Sequence, residues 1–176
     1  MGEDSVPFAS TDGLEFYKTN ILDNPDIRAI LESLFPWFGL GLYRTIGTVQ
    51  GDYAFRQSDP ESEVESVIVQ LWSPGSQVTF WEGSHNHPLP SAQGANDLWR
   101  APRIRLTKLG LKPTNINFEN GGLVYAEVVQ GYAITFGIAT KEVLTTWWKP
   151  MRLPAALKKT VDSMQGPKFG MNVTYF

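Results

Sequence analysis

The sequence predicts a mainly β domain: a double-stranded β-helix of the jelly-roll type, with a helix flanking it at each end. Three observations lead there. Between Leu40 and about Ile138, eight short apolar or alternating runs are broken by Gly, Pro and Asn, as in a sandwich or barrel. One helix-period segment precedes this block and another follows it. The 176 residues are 42% hydrophobic, 12% aromatic and 19% charged, which suits a single globular domain burying roughly two-thirds of its unfolded surface.

Residues 1–39 read as a loose lead-in, rich in Gly, Ser and Asp over its first twenty positions, followed by a helix in "DNPDIRAILESLF". Asn24 caps it, Pro25 suits the first helical position, Ile27, Ile30, Leu31 and Leu34 share one face, and Pro36 stops it. The core, residues 40–149, contains the strand segments "LYRTIGTV", "YAFRQ", "EVESVIVQLW", "SQVTFWEG", "RIRLTKL", "NINFE", "LVYAEVVQ" and "YAITFGIA". Residues 150–176 give a second helix, "LPAALKKTVDSM", opened by Pro154 with Ala155, Leu157, Val161 and Met164 as its inner stripe, and a tail. In "TTWWKPMRLP", one of Trp147 and Trp148 is expected to pack; the other, if exposed, marks a contact patch for a second chain.

Net charge is −3, from 15 basic and 18 acidic residues without a basic run, so nucleic acid is not an expected partner. Arg100, Arg103 and Arg105 form the densest basic group, diluted by Asp97. The absence of cysteine removes disulfides, thiolate metal sites and cysteine nucleophiles. The first thirty residues show no signal-peptide pattern, and no apolar run approaches the roughly eighteen residues that span a bilayer. A cytoplasmic domain without a membrane partner is therefore expected, and Asn172-Val173-Thr174, a glycosylation triplet, reads as a chance match.

The stretch "VIVQLWSPGSQVTFWEGSHNHPLP", followed by "VVQGYAITFGI", resembles the phytanoyl-CoA dioxygenase-like family over about residues 51–149, with Trp72, Gly83-Ser84-His85 and Gly131 in matching places. The resemblance implies a cupin-like barrel that binds Fe(II) through a His-x-Asp/Glu…His set beside 2-oxoglutarate. Its first two ligand positions fall near Gly51 and Tyr53, and its distal one near Thr140 or Lys141; none is a ligand of that set, and Lys141 brings a positive charge. The chain thus looks like a degenerate member that lacks the iron triad, and His85 inherits a place outside that triad. His85 and His87 flank Asn86 and would share one side of an extended strand, so with Glu82 or Glu127 they offer a second route to a metal. A cupin would add a Glu shortly after and a later His, and "PLPSAQGANDLW" supplies neither. No metal and no cofactor are expected; Fe(II) with 2-oxoglutarate is the alternative.

If the iron site is lost, the cavity remains. Ile68, Gln70 and Trp72 alternate with Val67, Val69 and Leu71; the resemblance points Trp72 into the pocket with Gln70 beside it, and the plainer reading puts Gln70 on an exposed face. Arg44 either pairs with a carboxylate ligand or is a solvated strand residue. Glu82 and Glu127 sit among apolar neighbours, where burial raises a carboxyl pKa into the acid–base range; His85, Tyr53 or Tyr125 would partner them. The plainer reading of each is an edge or surface carboxylate on an alternating strand. Trp72, Phe80, Trp81, Phe118, Tyr125 and Phe136 are core by default, and a subset could line a cavity. The expected function is a metal-independent isomerase or cyclase acting on an apolar metabolite, with Glu82, Glu127 and His85 catalytic and Arg44, Tyr53, Gln70, Trp72 and Tyr125 binding substrate. Two alternatives stand beside it: a non-catalytic ligand-binding protein, homodimeric or paired with an active dioxygenase-like chain, and an Fe(II)/2-oxoglutarate dioxygenase ligated by His85 and His87.

Overall fold

The computed structural model describes residues 7–47, 52–54, 63–81, 92–93, 99–101, 113–116 and 126–176; for 52–54, 92–93, 99–101, 113–116 and 126–128 it describes the backbone. These residues form α1 (Thr11–Tyr17), α2 (Pro25–Leu34), α3 (Lys141–Thr146) and α4 (Lys158–Met164). The strands are β1 (Phe38–Ile46), β2 (Asp52–Ala54), β3 (Ser66–Trp72), β4 (Gln77–Trp81), β5 (Ala92–Gln93), β6 (Trp99–Ala101), β7 (Pro113–Ile116), β8 (Ala126–Gln130), β9 (Ala133–Ala139), β10 (Met151–Leu153), β11 (Phe169–Met171) and β12 (Val173–Tyr175). The mainly β expectation holds coarsely: strands in mixed sheets hold more of the described residues than the few short helices do. Among the described residues, no helix is long and apolar enough to cross a membrane.

The described residues fall into two compact units, one drawn from Met1–Thr45, Val64–Val69 and Thr135–Phe176, the other from Ile46–Glu63 and Gln70–Ile134. The first unit opens differently from the loose lead-in the sequence suggested. Ser10 caps α1, its hydroxyl accepting the Gly13 N–H at 3.0 Å, and Leu14, Tyr17 and Ile21 recur at helical spacing and are fully buried. Of the Ser, Asp and Gly that signalled a loop, Ser10, Asp12 and Gly13 are the cap and first turn of this helix. A π-helical turn, Lys18–Leu22, continues it. In α2 the expected cap is present: Asn24 Oδ1 accepts from Asp26 N–H at 3.1 Å and Ile27 N–H at 3.2 Å. Its buried stripe is narrower than the sequence implied. Leu31 and the C-cap Phe35 are buried, whereas Ile30 and Leu34, at the stripe's margin, are 58% and 43% exposed.

The sheet of this unit has the order β11-β1-β9-β3, with β11 parallel to β1 and Phe38 opposite Phe169. Beneath it Tyr17, Phe38, Tyr43, Phe136 and Phe169 interlock at centroid separations from 4.7 to 6.4 Å. These tilted contacts add to what the buried area contributes. The Tyr43 hydroxyl donates to the Gly13 carbonyl at 3.1 Å; the Tyr17 hydroxyl is buried without a hydrogen-bond partner among the described residues. Of the two tryptophans singled out from the sequence, Trp148 packs and Trp147 is 67% exposed. Trp148 lies across neighbouring strands at Gly41 and Gly137, where a side chain would collide with its ring.

β10 and β12 form a separate parallel ribbon, and Leu153 packs with Leu14, Leu157 and Val161. The second helix therefore stands as expected for Leu157, Val161 and Met164, although Ala155–Leu157 is a 3-10 turn and Ala155 is exposed. Asn172 fastens the ribbon: its Nδ2 donates to the Leu144 and Trp148 carbonyls at 2.8 and 3.0 Å, its N–H to the Leu40 carbonyl, and its carbonyl accepts from Met151 N–H.

In the second unit the sheet order is β5-β6-β2-β8-β4-β7, antiparallel at each pairing whose register is defined. Val78, Phe80 and Trp81 of β4 are buried. The Ser73–Ser76 turn is tied to the end of β8: Ser73 N–H donates to the Tyr132 carbonyl at 2.9 Å and Tyr132 N–H to Ser73 Oγ at 3.2 Å. Gly131 has φ +86°, a conformation that favours glycine, and it presses against Ser76.

Candidate functional site

The sequence candidates divide into three groups. Glu82, His85, His87, Phe118 and Tyr125 lie outside the described residues. Arg44 is half-buried on β1 in the first unit, and Gln70 and Trp72 are half-buried at the end of β3. All seven residues of β3 are half-buried, so its alternation separates no solvent face from a core face. Tyr53 and Glu127 lie in the sheet of the second unit, and the ladder defines their positions.

Tyr53 is the register partner of Arg100 in β6 on one side and of Ala126 in β8 on the other. Ala126 is opposite Phe80 in β4, and Phe80 is opposite Thr114 in β7. One row thus crosses the sheet as Arg100, Tyr53, Ala126, Phe80 and Thr114. Phe80, only 5% exposed, shows that this row meets covered space at β4. Glu127 belongs to the neighbouring row, opposite Thr79, which in turn is opposite Asn115. The ladder therefore gives Tyr53 and Glu127 adjacent rows rather than facing positions. Rows alternate from face to face of a pleated sheet.

Two kinds of chemistry follow from these rows. The first combines a guanidinium-bearing and a phenol-bearing position across one strand pair, with alanine as the next neighbour, the smallest side chain that still fills a strand position. A cation and a weak acid are the groups that hold and polarise an oxygen. The second sets Glu127, Thr79 and Asn115 at register positions of three neighbouring strands, and of these residue types the carboxylate can take up or release a proton. Sequence reasoning missed Arg100 as a site residue because it read "RAPRIR" as a basic group only. The signal was the short run Trp99-Arg100-Ala101, too brief to stand out as a strand. Thr79 and Asn115 carried no signal without the register.

The positions counted for the distal iron ligand have ordinary structural work. Thr140 is the N-cap of α3, its hydroxyl oxygen accepting from Val143 N–H at 3.5 Å, and Lys141 is exposed in the first turn. Among the described residues, no group of three or more His, Asp or Glu side chains could hold a metal ion.

No model of a known protein family matches the chain, and no curated protein matches it either.

Proposed function

We propose that the chain is a metal-independent enzyme of the isomerase or cyclase type, in which a jelly-roll container holds an apolar metabolite against acid–base side chains. Support for the container comes from strand order. A jelly roll is a long hairpin wound up so that its earliest strands pair with its latest. Here β1 neighbours β9, β2 neighbours β8, and β4 neighbours β7, while β1, β3 and β9 share one sheet and β2, β4, β7 and β8 the other.

The observation that carries the chemistry is the register of Tyr53. The dioxygenase resemblance puts a carboxylate ligand at this position. The chain has a phenol there, with Arg100 opposite it and Glu127 one residue beyond its partner Ala126. Gly51, at the other proximal ligand position, has no donor side chain. The Arg100–Tyr53 row suits the movement of protons on a ketone, enol or alkene of an apolar substrate, with Arg100 holding oxygen and the Tyr53 phenol exchanging the proton, while Glu127 belongs to the row of the opposite face.

The test is turnover of a panel of apolar cyclic ketones and polyenes without added iron, 2-oxoglutarate or oxygen, with a chelator present. The expected result is isomerised or cyclised product, lost roughly a hundredfold or more in Tyr53→Phe and in Arg100→Gln. Turnover that requires Fe(II) and 2-oxoglutarate defeats the proposal in favour of the oxygenase reading. Saturable binding without turnover defeats it in favour of a ligand-binding protein.

A further inference from the structure

We propose that the first unit carries a peripheral docking surface for anionic lipid bilayers, centred on the outward side of the β10–β12 ribbon. A surface contact of this kind requires no spanning segment. The chain also disperses in sequence what folding collects.

Residues 141–176 hold six basic and two acidic side chains, whereas the rest of the chain holds nine basic and sixteen acidic. Arg152 stands exposed on β10 between buried Met151 and Leu153, at the register position of Thr174. Its guanidinium lies 5.2 Å from the centroid of the Phe176 ring, and that ring is itself 66% exposed. Trp147 is 67% exposed, two residues before exposed Lys149. The Asn172 amide fastens this segment to the same ribbon through the Trp148 carbonyl, while the Asn172 carbonyl takes the Met151 N–H. Lys159 adds an exposed ammonium on α4. Of the two carboxylates, Asp162 is engaged by Lys158 at 3.0 Å and Glu142 belongs to the first turn of α3. Lys149, Arg152 and Lys159 have no carboxylate partner among the described residues.

Two rings about two-thirds exposed and three cations without a carboxylate partner among the described residues, all within residues 147–176, match a bilayer surface: rings settle at headgroup depth and cations at the lipid phosphates. A protein contact would instead centre on a charge-depleted patch, with lysine excluded from its middle. The acidic remainder of the chain does not prevent contact, because charges farther than about 8 Å from the lipid are screened at physiological salt. The Phe176 ring meets the Arg152 guanidinium without neutralising its charge.

Co-sedimentation of the full chain with vesicles of phosphatidylserine and phosphatidylcholine, against vesicles of phosphatidylcholine alone, tests this at 50 and 300 mM NaCl. Partition into the anionic vesicles should exceed that into neutral ones and fall at the higher salt. Lys149→Gln and Arg152→Gln should each lower it roughly fivefold. Trp147→Ala should lower it further, while Lys18→Gln or Arg28→Gln, each the same change in net charge outside residues 141–176, should leave it in place. All five positions are exposed or half-exposed, and thermal melts confirm that the variants fold. No sedimentation with anionic vesicles at 50 mM NaCl overturns the proposal. So does equal binding to neutral vesicles, or equal loss in a control variant. Capture of the chain by polyglutamate but not by vesicles also overturns it and assigns the patch to an acidic protein.

Discussion

Tyr17 and Tyr43 stand in one aromatic cluster, their ring centroids 6.4 Å apart, and differ by a single hydrogen bond. Tyr43 donates to Gly13; Tyr17, at the junction of α1 and the π-helical turn, has no acceptor among the described residues. A buried hydroxyl without a partner costs the desolvation of its polar atom. Tyr17→Phe should therefore stabilise the chain by about 1 kcal/mol, read as a higher urea midpoint at unchanged slope. A lower midpoint would show that the hydroxyl is satisfied after all. Single-residue roles were legible in the sequence where chemistry is local, as for Asn24 at the helix cap. They were illegible where a partner is distant in the chain: nothing in "GLEFY" announces a carbonyl thirty residues from Tyr43, and nothing in "LWRA" announces Tyr53 opposite Arg100.

Elements with a strong local pattern were readable, and those held by contacts were not. α2 carries its own cap and stop, so only the width of its buried face differed. α1 was hidden because Ser10, Asp12 and Gly13 are loop formers by composition; tertiary burial of Leu14 and Tyr17 outweighs that local weakness. β11 and β12, three residues each, escaped notice because parallel pairing with β1 and β10 is decided by residues far away in sequence. The seat of Trp148 is likewise invisible locally. Isolated glycines in strand patterns suggest close backbone approach, and Gly41 and Gly137 provide it to this ring. Gly137→Ala puts a methyl where the Trp148 ring already lies within 2.8 Å. The expected cost is about 1–3 kcal/mol, with Trp148 fluorescence shifted as the ring is displaced. An unchanged denaturation midpoint would mean that the indole is not seated there.

At the scale of the whole molecule, the coarse class was legible because it depends on the period of apolar residues, which strands and turns impose along their own length. Strand order is a property of pairings and had to come from the ladder. Global stability has a pH dependence to which the two buried phenols contribute in the alkaline range. Burial pushes Tyr43 up to about 12 and raises Tyr17 well beyond the ordinary phenol range. Both are held neutral in the folded chain and titrate near 10 once unfolded. Above pH 10 the unfolded state holds fewer protons, so their contribution is complete below that value and is lost as pH rises through the folded pKa values. Thermal midpoints should be level with respect to these two groups between pH 7 and about 9.5 and fall steeply beyond 10. Tyr17→Phe with Tyr43→Phe should flatten the fall; an equally steep decline in the double variant would assign alkaline unfolding to other groups. One tie at this scale reaches into the life of the chain before it is folded. Asn172 spends both protons of its amide nitrogen on the Leu144 and Trp148 carbonyls, and that nitrogen is the atom to which an oligosaccharide would be attached within Asn172-Val173-Thr174. Sugar added during synthesis would take one of those protons and sterically bar the other, leaving the C-terminal ribbon unfastened. The finished fold shields its own sequon, and a nascent chain modified there would be committed to a shape this molecule cannot close.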